Sequence, residues 1–131
     1  MANYKDIKYQ FPAESLVSGS VANARIAAGS VTQHVQPYIS WQSVVTSDTT
    51  VVAGRGYPVN TSGGAITMTL PASPSVGDTL KFMDYGRTFN TNKLTLGRNG
   101  SNFQGNASDA QFNIAGSTIT VTYIDATKGW V

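Results

Sequence analysis

A chain of 131 residues, 40% apolar and only 12% charged, has room for one domain and a modest extension. Its net charge of +2, carried by scattered basic residues, excludes the field needed to hold nucleic acid or an anionic membrane; with no Cys, disulfide staples, thiolate zinc sites and cysteine nucleophiles are excluded too. Charge at about half the usual ~25%, with Thr, Ser, Asn and Gln in its place, suits subunit packing or a durable extracellular particle better than a solitary cytosolic protein.

The chain opens on MANYKDIKYQFPAE, which lacks an apolar stretch of signal-peptide length, and nothing later nears the ~18 residues of a membrane span. Synthesis in a cytoplasm and a soluble product are therefore expected. Residues 1–40 read as an extended N-terminal docking arm. Within it Leu16-Val17-Ser18-Gly19-Ser20-Val21-Ala22 is echoed ten positions later by Ile26-Ala27-Ala28-Gly29-Ser30-Val31-Thr32, a frame of an aliphatic residue, two variable positions and Gly-Ser-Val. So short a unit has nothing to bury its own aliphatics against, so Leu16, Val21, Ile26 and Val31 are expected to dock on a neighbouring subunit or surface. A short helical turn around Ala22–Ala27 is the single helical signal.

From Trp41 onward the pattern is period two, the signature of a strand with one buried face. Strands are predicted near Val44–Val52, Tyr57–Thr61, Ala65–Leu70, Thr79–Tyr85, Lys93–Leu96, Ala110–Ile114 and Thr118–Tyr123. Asn60-Thr61-Ser62-Gly63-Gly64 and Asn99-Gly100 supply turns, and Pro71 and Pro74 close the strand that Leu70 ends. About seven or eight short strands at this spacing predict an all-β domain over residues 41–131, a small antiparallel sandwich or barrel.

Chemistry is sparse along this scaffold. A Ser-His-Asp arrangement needs a histidine in a rigid pocket, and the one histidine, His34, lies in the arm. No metal-ligand spacing occurs, and no catalytic, cofactor or metal site is expected. Asp48, Asp78, Asp84, Asp109 and Asp125 stand singly, most beside Gly, Ser or Thr, which suits backbone hydrogen bonding in turns. Asp78 and Asp84 share a strand face but stand too far apart to flank a glycosidic bond. Gly54-Arg55-Gly56 has neither the following helix nor the lysine of a phosphate loop and reads as a tight turn or bulge. Asn60-Thr61-Ser62 and Asn106-Ala107-Ser108 match the glycosylation pattern, which matters only in a secreted eukaryotic chain. Tyr57, Tyr85, Phe103 and Trp130 are candidate glycan contacts, since an aromatic ring stacks on the apolar face of a sugar; core packing or a subunit interface is the competing use.

The segment Val51-Val52-Ala53-Gly54-Arg55-Gly56-Tyr57-Pro58-Val59-Asn60, followed by Ala65-Ile66-Thr67-Met68-Thr69-Leu70-Pro71-Ala72-Ser73-Pro74-Ser75-Val76-Gly77-Asp78, resembles a β-module of tail-fibre and other virion structural proteins of tailed bacteriophages, marine and cyanobacterial ones among them. The similarity continues through Phe89-Asn90-Thr91-Asn92-Lys93-Leu94-Thr95-Leu96-Gly97-Arg98-Asn99-Gly100-Ser101 and Tyr123-Ile124-Asp125-Ala126-Thr127-Lys128-Gly129-Trp130, covering about residues 50–131. What it implies is a homotrimer in the virion, the arm docking to capsid or tail proteins and the β-domain projecting outward. With neither a long repeated shaft nor a large tip, a capsid decoration or cement protein or a short fibre is expected; a module that reads a host surface glycan is the alternative.

Overall fold

A computed structural model describes residues 38–131, and its order of elements is wholly β among those residues. The strands are β1 (Ser40–Trp41), β2 (Thr49–Thr50), β3 (Arg55–Val59), β4 (Ile66–Thr69), β5 (Thr79–Asp84), β6 (Leu94–Gly97), β7 (Ala110–Phe112), β8 (Thr118–Asp125) and β9 (Gly129–Trp130). They form a five-stranded sheet in the order β1-β3-β5-β8-β9 and a four-stranded sheet in the order β2-β4-β6-β7. The arm residues Leu16, Val21, Ile26 and Val31, the turn at Ala22–Ala27 and His34 lie outside the described residues.

The all-β class and the two-sheet architecture match expectation, whereas the antiparallel pairing does not. From β1 to β6 successive strands alternate between the sheets, so each strand returns beside its predecessor but one in the same direction. Hence β1/β3, β3/β5, β2/β4 and β4/β6 are parallel, and antiparallel pairing is confined to β5/β8, β6/β7 and β8/β9. The physical reason lies in the turns. Asn60–Gly64 reverses the chain as its residues predict, but it joins β3 to β4 in the opposite sheet instead of closing a hairpin within one. The region read as one strand over Val44–Val52 holds only β2 and an isolated parallel bridge of Val45 with Val59.

Alternation decides which side chains meet. Tyr57, Val59, Leu80, Phe82 and Val121 of the larger sheet share one buried cluster with Ile66, Met68, Leu94 and Leu96 of the smaller. Each buried aliphatic or aromatic contributes on the order of 1.5–3 kcal/mol against exposure, before conformational entropy is subtracted. Tyr57 stacks on Phe82, its neighbour across the parallel ladder, with ring centroids 6.0 Å apart, and its hydroxyl accepts the Val52 N–H at 2.8 Å. Pro58 has no N–H to give a ladder, and the pairing on that flank breaks beside it. Gln42 N–H reaches Gly56 O and Val45 N–H reaches Pro58 O, with the intervening residues looping past. At the far end of the sheet, Gly129 has φ of +70° and packs so closely on the backbone of Asn102 that no Cβ fits.

Candidate interaction surface

The described carboxylates come first, because acid–base chemistry would have to use them. Each of the five is engaged by backbone N–H groups: Asp48 by Thr67, Asp78 by Ser75, Asp109 by Arg98, and Asp125 by Thr127 and Lys128. Asp84 is the most committed. It ends β5 facing inward, 5% exposed, and accepts N–H bonds from Thr88 at 3.1 Å, Phe89 at 3.1 Å and Gly116 at 2.9 Å. Burial alone pushes its carboxyl up, but the N–H groups of Gly116, Phe89, Thr88 and Arg87 outweigh this and hold it below the ordinary value. Asp78 precedes β5 while Asp84 closes it, so the two stand at opposite ends of one strand.

Three of the four candidate glycan aromatics are core residues. Tyr57, Phe103 and Trp130 are buried, at 4%, 9% and 0% exposure, so none offers a ring face to a ligand. Their positions explain it. Tyr57 points inward from β3, while Phe103 and Trp130 bridge each other in parallel fashion and pack edge-on against Phe112 and Tyr123 respectively. Tyr85 alone remains accessible, at 59%.

The outward sides of the two sheets differ in chemistry. On the smaller sheet, Thr67, Thr95 and Gln111 lie in register across β4, β6 and β7, with Thr50, Thr69 and Gly97 beside them, a flat threonine face. On the larger sheet, Pro58, Met83 and Thr118 form one row, and Trp41, Gly56, Lys81 and Thr120 the next. Val44 precedes the Val45–Val59 bridge, and Tyr85 N–H extends the ladder to Val59 O two residues beyond Met83. Trp41, Val44, Met83 and Tyr85 are all exposed, so this side carries an apolar strip. Trp41 and Ile39 lie directly over Gly56, where any Cβ would approach them to 2.6–2.8 Å.

Hollows interrupt the surface formed by the described residues. A groove of about 600 Å³ runs between Tyr38 and Ile39 on one side and Asp78, Thr79 and Lys81 on the other, floored by Ala53 and Gly54. A smaller hollow of about 300 Å³ lies among Phe112, Ile114, Ser117 and Ile119, and the buried Ser117 hydroxyl has no hydrogen-bond partner. The groove is not legible in the sequence, because Tyr38 falls within the stretch that reads as arm and the small-residue floor of Ala53 and Gly54 carries no chemical signal. No protein-family model and no curated protein matches the chain.

Proposed function

We propose that the chain is a non-enzymatic structural module of a tailed-bacteriophage virion, a homotrimeric capsid decoration or cement protein or short fibre that docks to the particle through its N-terminal arm. The observation that carries this reading is the apolar strip of Trp41, Val44, Pro58, Met83 and Tyr85 on the outward side of the five-stranded sheet. A strip of this kind on a low-charge chain is suited to burial between copies. The backbone engagement of all five described aspartates supports a structural over a catalytic role. The inward Leu80, Phe82 and Val121 already fill the domain core, so the strip is left for a second surface.

Sedimentation equilibrium of the full chain tests the assembly. The expected species is a trimer that dissociates when Met83 is changed to Asp, and a wild-type monomer at micromolar concentration would sink the reading. Virions complemented with a chain lacking residues 1–35 should carry none of the protein, and an electron-microscopy map of the wild-type particle should place it on the capsid lattice or the tail. A truncated protein present at normal occupancy would move the docking function into the β-domain.

A further inference from the structure

We propose that the groove between Tyr38 and Lys81 binds a pyranose ring. The groove exists because of residue size. Strands β1 and β5 flank β3, which sets their axes two strand spacings apart, about 9–10 Å, and β3 is entered through Ala53 and Gly54, which add almost no bulk between them. The two walls rise from β5 and from the approach to β1.

Those walls have opposite chemistry. One presents the Tyr38 ring, 75% exposed, with the aliphatic Ile39 beside it. The other presents Asp78 and Lys81. The Asp78 carboxylate uses one oxygen on the Ser75 N–H, and among the described residues the other oxygen and the Lys81 ammonium have no partner. Thr79 between them is held in place, its hydroxyl donating to Gly77 O and pairing with the Thr122 hydroxyl. The carboxylate only accepts and the ammonium only donates, so from their two positions in the groove they can serve different hydroxyls along one edge of a ring, each of which both gives and accepts. A pyranose has such an edge and an apolar C–H face for the tyrosine, and a volume near 600 Å³ is within the range of small-molecule sites.

Other occupants fit less well. A phosphate or sulfate meets the Asp78 charge, and a metal cation meets that of Lys81. An extended peptide would need free backbone groups to add as a strand, and those bordering the groove are engaged: Ser40 N–H with Gly54 O, Gly54 N–H with Thr79 O, and Gly77 N–H with Tyr123 O.

The test is an amide-detected NMR titration of the full chain with methyl β-glucopyranoside, methyl β-galactopyranoside and N-acetylglucosamine, with triglycine and sodium sulfate as comparison probes. At least one sugar should give saturable shifts at the Gly54, Gly77, Thr79 and Lys81 amides in the millimolar range. Tyr38→Ala and Lys81→Met should each weaken it by about tenfold, the loss of one good contact, while the rest of the spectrum stays unchanged. Three results would overturn the proposal: no saturable shift with any sugar, equal shifts with triglycine or sulfate, or undiminished binding by both variants. The groove lies within one β-domain, so a monomer that binds sugar defeats only the trimer, and a trimer that binds none defeats only the groove.

Discussion

Changing Asp84 to Ala removes one small side chain and strands three backbone donors. The Phe89 N–H is buried, and leaving it unpaired costs roughly 1–3 kcal/mol; those of Thr88 and Gly116 are part-buried, and partial access to water reduces their cost to roughly 0.5–1 kcal/mol each. The total is about 2–5 kcal/mol. For a domain of this size each 1 kcal/mol moves Tm by about 4–8 °C, so circular-dichroism melting at pH 7 should show a fall of at least ~8 °C. Acid supplies an independent check. Because the folded-state carboxyl lies below its ordinary value, the stabilisation is complete above that value, near 3.8, and is lost as pH falls through the lower folded one. Wild type should therefore lose stability below about pH 4, in the acid range where Asp ordinarily titrates, and the variant should lose less over the same range. A variant melting within ~3 °C of wild type, about half of one kcal/mol, would refute the claim that Asp84 holds these loops.

Three further outcomes follow from close contacts. Gly129→Ala drives a Cβ into the Asn102 backbone at a left-handed φ, so the β8/β9 pairing should fail and the protein should be recovered unfolded or aggregated; a soluble variant with unchanged near-UV spectrum would contradict the packing. Gly56→Ala should push Trp41 off the sheet with a loss of about 1–3 kcal/mol and a red shift of tryptophan emission, and unchanged emission would count against that stacking. Trp130→Phe removes an indole N–H that has no partner, so it should cost less than the ~3–5 kcal/mol typical of large aromatic truncations, as read by urea denaturation.

The residues that announced themselves in the sequence are those with one wet and one dry face. Ile66–Thr69 and Thr118–Thr122 alternate aliphatic and Thr because each lies on an outward-facing sheet, and Asn99-Gly100 announced its turn through φ values of +48° and +93° that Asn and Gly adopt most readily. The parallel pairing left no such mark. Partners run from Ser40 to Arg55 but from Gly56 to Lys81, steps of 15 and 25 residues, so successive layers share no fixed sequence period. Strands β1 and β9, two residues each, are too short for any period to register. Exposure of aromatics was equally hidden. Tyr57 and Tyr85 both sit among Gly and Pro or Asp, and only the pairing of β3 with β5 turns one ring inward and leaves the other outside.

Alternation between the sheets also governs how the domain reaches its native state. No strand from β1 to β5 pairs with the next in sequence, so each parallel ladder closes a loop through the opposite sheet. The entropy of those closures precedes the contacts that reward it, which places folding in the millisecond-to-second range of non-local β topologies. During that interval the hydrophobic rows of β4 and β6 are uncovered together. Assembly at high concentration then becomes a race between closing the second sheet and meeting another chain, and the threonines alternating with Ile66, Met68, Leu94 and Leu96 keep half of each exposed strand polar while it waits.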